Sequence, residues 1–185
     1  KLTAPGQPFE IVEVDVRDRH LRVFKNAPRN LREIYETTRS DKLFIVYEDE
    51  RLTYEDIWRR ACTLAHALVK DHGVGRGDRV ALSMRNYPEW IVAYMAITSV
   101  GAMAIAMNAL WTADEMSYGL SMSQPKVLIT DQERLDRLAS LANPPTGFSI
   151  IAARTTKPLP ASARAWADAM SGPEQTTMPD VNADP

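Results

Sequence analysis

One cysteine in 185 residues, Cys62, excludes an internal disulfide and any thiolate-rich metal site, and it fits a reducing, cytosolic setting. The three histidines, His20, His66 and His72, are scattered, with no pair three or four residues apart that could hold a metal on one helix face. A dominant charge sign is missing too. Lys and Arg number 22 against 24 Asp and Glu, a formal net charge of −2, so no basic field exists for wholesale phosphate neutralisation and nucleic acid is excluded as a partner. Near Lys1 there is no cationic segment followed by an apolar run and a cleavage site. Glycine is sparse, and the one cluster, Gly73, Gly75 and Gly77, closes a helix and leads into a strand. A dinucleotide loop needs the reverse order, so these glycines read as a C-cap and turn. The longest uncharged run, Trp90 to Ala113, is interrupted by Thr98, Ser99, Gly101, Asn108 and Thr112. It reads as a buried helix, a turn and a buried strand rather than a membrane span.

What is present, 45% hydrophobic and 25% charged residues, suffices for one domain with a real core. Residues 1–30 read as an N-terminal arm with an alternating stretch from Ile11 to Val16. A short helix is expected from Asn30 to Arg39, then a strand from Leu43 to Tyr47, an acidic turn and a return strand beginning at Arg51. Thr53 with Asp56 three residues on opens the clearest helix, Tyr54 to Asp71, whose Ile57, Ala61, Leu64, Ala65 and Leu68 recur at helical spacing. Arg79–Met84 is a buried strand, Asn86 caps a helix that runs to Gly101, and Met103–Met107 is a central strand buried on both faces. A helix (Ala113–Ser123), a strand (Lys126–Thr130), an amphipathic helix (Asp131–Leu141) and a strand (Ser149–Ala152) follow. This alternation implies an α/β subdomain over residues 31–153, with parallel strands and helices on the sheet faces. Residues 154–185, rich in Pro, Ala, Ser and Thr, read as a connector, with at most a helical turn or two at Ala165–Met170.

Side chains that invite chemistry have plainer readings. Glu48, Asp49 and Glu50 on a hairpin tip are solvated charge, and Cys62 among apolar neighbours is a buried, inert thiol. Arg17, Arg19, Arg22, Lys25, Arg29 and Arg32 could attract an anionic lipid surface and give peripheral membrane contact. Interleaved Asp15, Asp18, Glu33 and Glu36 favour an ordinary solvated face.

Several segments in collinear order carry more. They are Leu52-Thr53-Tyr54-Glu55-Asp56, Gly75-Arg76-Gly77-Asp78-Arg79-Val80-Ala81, Asn86-Tyr87-Pro88-Glu89-Trp90, Gly101-Ala102, Met107-Asn108-Ala109 and Lys126-Val127-Leu128-Ile129-Thr130-Asp131. The series resembles the opening region of the AMP-forming acyl-CoA synthetase, nonribosomal adenylation domain and luciferase superfamily. One departure is plain: where that family's loop carries proline two before and one after the asparagine, this chain has Ala106 and Ala109, which implies a less rigid loop.

The resemblance implies the first part of the large domain of an adenylate-forming ligase. In such an enzyme a carboxylate, here a fatty acid, attacks the α-phosphate of ATP with Mg²⁺, and coenzyme A then displaces AMP from the acyl-adenylate. It also implies a Gly/Ser/Thr-rich phosphate loop with a lysine, which does not occur in these residues. Asp184-Pro185 resembles the dipeptide just ahead of that loop, so the chain is expected to stop short of the adenylation machinery and to be inactive alone. By the same resemblance Asn108, Arg134 and Arg137 lie along the coenzyme A path, the two arginines meeting its 3′-phosphate from one helix face; read without the resemblance, the arginines are a solvated face beside a leucine stripe and Asn108 shapes its turn. No catalytic or metal-binding residue is expected in the chain. Two rival readings are an adenylating enzyme that loads a carrier protein and a non-catalytic α/β module that binds a partner or membrane.

Overall fold

The computed structural model describes residues 2–184. Its N-terminal arm is a hairpin, β1 (Ile11–Val16) against β2 (Arg19–Phe24), turned through Arg17 and Asp18, both at positive φ. The return strand β2 was not anticipated, because Arg19, His20 and Arg22 conceal its alternation. Cross-strand pairing sets Glu13 opposite Arg22, and Lys25 Nζ meets Glu10 Oε1 at 2.9 Å beside the hairpin, so these two members of the basic run face acid. Helix α1 (Leu31–Thr37), capped by Asn30, leads to a second hairpin, β3 (Leu43–Tyr47) and β4 (Glu50–Thr53).

Thr53 and Asp56 form the expected capping box at the start of α2 (Tyr54–His72), and Gly73 ends it at φ 60°, a left-handed cap that glycine adopts without a Cβ penalty. The adjoining turn is held by Asp78, whose carboxylate accepts from Gly75 N at 2.8 Å and Lys126 Nζ at 2.6 Å. The three glycines therefore stand at the N-terminal end of the next strand.

That strand, β5 (Arg79–Ser83), belongs to a five-stranded parallel sheet with β6 (Met103–Ala106), β7 (Val127–Asp131), β8 (Ser149–Ala153) and β9 (Ala163–Ala165). The order is β6-β5-β7-β8-β9. Side chains alternate between faces as the strand period of two requires. Val80, Leu82, Val127, Ile129 and Ile151 join α2 and α3 (Pro88–Ser99) in the larger core. Ala81 and Leu128 face the other way, onto α4 (Ala113–Ser123) and α5 (Gln132–Ala139). Helices thus cover both faces of the sheet, the expected α/β architecture.

Three expectations are corrected. Met103–Ala106 is an edge strand with Met103 47% exposed, since an apolar run becomes central only when partners flank it on both sides and, among the described residues, β6 pairs with β5 alone. The cap of α3 is Tyr87, not Asn86, and it makes no side-chain bond. Pro88 at the first helical position holds the residue before it extended, which moves the boundary by one. The C-terminal stretch contains the helical turn expected at Ala165–Met170, α6 (Trp166–Ala169), but it is more than a connector: it adds the strand β9 and then lies along α2, with Met178 buried and Trp58 Nε1 donating to Thr176 O at 2.9 Å. Among the described residues no helix is long and apolar enough to cross a membrane.

Candidate functional site

In an open parallel sheet, ligands collect beyond the carboxyl ends of the strands where the strand order reverses. Here that place is the end of β5, since the chain goes from β5 to β6 on one side and then to β7 on the other. Four connections converge there, after β5, β6, β7 and β8. The Gly73–Gly77 turn lies at the opposite end of β5, which agrees with its reading as a turn rather than a phosphate cradle.

Asp131, the last residue of β7, organises the junction. Its carboxylate caps α5 by accepting from Arg134 N at 3.0 Å, and it also accepts from Arg85 N at 3.0 Å, tying the β5 loop to β7. The Arg134 guanidinium, fully buried, meets Asp131 Oδ2 at 3.0 Å and Glu133 Oε2 at 2.8 Å. Its Nε and Nη2 both donate to Ala109 O, at 2.8 and 2.5 Å. Arg137 sends Nη1 to Ala109 O at 3.0 Å and to Trp111 O at 2.7 Å, and its Nη2 pairs with Glu133. Its side chain remains 28% exposed. Asn108 Oδ1 accepts from Leu110 N at 2.9 Å, a turn within its own loop.

All three expected site residues therefore meet at one loop, residues 107–112, but in different roles. Arg134 is a buried tie whose donors are directed at protein oxygens. Asn108 shapes the turn, and only Arg137 keeps an outward surface. The alanines at 106 and 109 do not leave the loop loose, because two guanidiniums hold its carbonyls.

Beside this loop lies a polar cleft of about 560 Å³, lined by Arg85, Asn86, Met107, Asn108 and Leu110 among others. An apolar groove of about 270 Å³, formed by Ile45, Val46, Pro88 and Ile91, adjoins it. Tyr47, Asn86, Tyr87 and Trp90 line both, so the two are lobes of one depression. Arg154, where β8 ends, braces the shared wall. It pairs with Glu50 at 2.5 Å and Glu89 at 2.8 Å, and its guanidinium stands 5.3 Å from the Tyr47 ring and 5.4 Å from that of Tyr87. Glu50 on the acidic turn is thus a structural partner and not merely solvated.

Arg85, Arg154 and Tyr47 were not singled out in the sequence. Local pattern carries no sign of them, since their roles arise from loops that meet only in the folded sheet. Cys62 is buried as expected, and burial pushes its thiol up to about 12, far from nucleophilic use. Among the described residues no group of three or more His, Cys, Asp or Glu could hold a metal ion. That donor set does not fit Mg²⁺.

A doubly covered parallel sheet with a cleft at its switch point defines a nucleotide- or small-molecule-handling α/β domain. Residues 32–184 match the family model for AMP-binding enzymes, and the chain belongs to that family. It is 35% identical over 101 residues to a medium/long-chain-fatty-acid–CoA/3-oxocholest-4-en-26-oate–CoA ligase of Mycobacterium marinum, a match covering 55% of this chain and 18% of that protein. Against a long-chain-fatty-acid–CoA ligase of Bacillus subtilis, identity is 34% over 90 residues, covering 49% of this chain and 16% of the relative. The crystal structure of the anthranilate CoA ligase AuaEII with anthranoyl-AMP superposes with a TM-score of 0.76 at 24% identity, covering 86% of this chain and 31% of that one. At that identity the likeness concerns the fold. The chain accordingly spans less than a third of each of these relatives.

Proposed function

We propose that these residues form the first α/β layer of an ATP-dependent carboxylate–CoA ligase, with a fatty acid as substrate and an acyl-adenylate as intermediate. The observation that carries this reading is the family match running through almost the entire α/β unit, residues 32–184. The fatty-acid–CoA ligase names of the relatives support the substrate class, and the position of the cleft at the switch point agrees with a ligand-binding role.

In this reading the chain supplies frame, one flank of the acyl pocket and part of the coenzyme A path, while the groups that stabilise charge on the phosphates belong to other polypeptide. Arg137 is the proposed contact for the coenzyme A phosphate, and Arg134 and Asn108 hold the loop along which the thiol arm approaches. The enzyme works in the cytoplasm. Two measurements test the proposal. The 185-residue chain given ATP, Mg²⁺ and a panel of carboxylic acids should release no pyrophosphate, and carboxylate-dependent release would contradict its incompleteness. In the complete enzyme Arg137→Ala should raise KM for coenzyme A about tenfold with kcat little changed, the loss expected for one charge-assisted contact. An unaltered KM removes the assignment.

A further inference from the structure

Both lobes of the depression together are lined by one formally charged residue, Arg85. Its neighbours Arg134, Arg137 and Arg154 all direct their guanidiniums to protein oxygens. The Arg85 side chain is exposed and has no hydrogen-bond or ion-pair partner among the described residues, although its backbone is anchored to Asp131. Asp131 cannot serve as the missing partner, because its carboxylate is already bound to Arg134 and only 3% exposed.

We infer that Arg85 is the head-group residue of a site for an amphiphilic anion, whose apolar chain lies in the groove of Ile45, Val46, Pro88 and Ile91. Guanidinium is the side chain that binds carboxylate or phosphate through paired N–H donors, and it sheds water more readily than an ammonium. Asn86 and Asn108 add neutral polar groups to the same lobe, suited to orienting a head group without competing for its charge. The apolar lobe begins directly behind, across Tyr47, Tyr87 and Trp90, so a ligand with charge at one end and hydrocarbon at the other satisfies both at once. The site is pre-organised. Asp131 fixes the Arg85 backbone, Arg154 braces the two tyrosines, and the Trp90 ring is stacked on Tyr94 with centroids 5.3 Å apart. The site rests on the ligase reading only for the identity of that amphiphile, a fatty acid whose carboxylate meets Arg85.

Trp90 lines both lobes, so an ω-bromo fatty acid of ten carbons, whose bromine quenches indole fluorescence, reports occupancy without any turnover. Saturable quenching is expected, and it should fall away in Trp90→Phe. Arg85→Gln should raise the apparent Kd about tenfold and Arg85→Lys by less, while the bromo-alcohol of equal length binds weakly and is indifferent to either change. Coenzyme A serves as competitor: no displacement of the bromo acid is expected, and displacement that is lost in Arg85→Gln would assign Arg85 to a phosphate and overturn the inference. Equal affinity of wild type and Arg85→Gln for the acid, equal affinity of acid and alcohol, or absence of saturable quenching overturns the inference. Because the Arg85 side chain supports no intramolecular bond, circular dichroism and thermal unfolding of the variant should match wild type. Pyrophosphate release by the complete enzyme is a separate readout, so failure of the ligase reading and failure of the anion site are told apart.

Discussion

The guanidinium of Arg134 and the carbonyl oxygen of Ala109 are joined by two hydrogen bonds, of 2.8 and 2.5 Å, across 25 residues of chain. The pair fastens the loop after β6 to the first turn of α5, and through Asp131 to the loop after β5. A residue whose spacing suits a phosphate ligand is instead the keystone of the cleft floor.

Arg134→Met should therefore be a stability variant. It strips a buried carboxylate, Asp131, of its cation, and breaking such a pair from one side costs about 3–5 kcal/mol. Arg137→Ala, removing a part-exposed group, should cost no more than about 1 kcal/mol. Urea unfolding midpoints of the two variants check this, and equal losses would show that the buried tie is not special.

Glu55 accepts from Arg39 Nε at 2.9 Å and from Arg59 Nε at 3.0 Å. The hydrogen bond from Arg39 is the leading cause, opposed by desolvation and reinforced by Arg59, and together they hold its carboxyl at about 2 instead of 4.5. A depressed folded-state pKa stabilises the fold above the unfolded value and ceases to do so as pH falls. The contribution of Glu55 should be complete above about pH 5 and disappear between 4.5 and about 2. Glu55→Gln should lower stability at pH 7 by on the order of 1 kcal/mol. The gap in Tm between wild type and variant should close as the pH approaches 2, and a gap independent of pH would disprove the assignment.

Gly101 sits at φ 73°, and a Cβ there would stand 2.8 Å from Asn182 O and 3.3 Å from Ala183 Cα. Gly101→Ala should cost about 1–3 kcal/mol from backbone strain and push residues 182–183 off the α3–β6 turn. Gly77, at φ 80° with nothing within 4 Å, provides the comparison, since Ala there meets strain without the clash. Faster proteolysis of the C-terminal stretch in Gly101→Ala than in Gly77→Ala is the expected result.

Local signals account for much of the fold. The capping box at Thr53 and Asp56, the left-handed Gly73 and the stripe from Ile57 to Leu68 are contacts within about one turn of helix, so their spacing alone specifies α2. The fully buried β7 reads as an apolar run for the same reason. Where a residue's fate depended on distant chain, the reading failed. Met103 has the character of a central strand residue but lies at an edge, and the segment around Ala163 has the composition of a connector but pairs with β8.

The sequence by itself determined the alternation of strands and helices, the caps that bound them and the family series from Leu52 to Asp131, because periodicity and capping are properties of neighbours along the chain. Around the cleft, it is the folded sheet that holds the Arg134 and Arg154 guanidiniums, and in part that of Arg137, on protein oxygens and leaves Arg85 without a partner among the described residues. Burial and partnership arise where the loops after β5, β6, β7 and β8 come together, and a guanidinium's role follows from the oxygens that reach it, not from its place in the sequence.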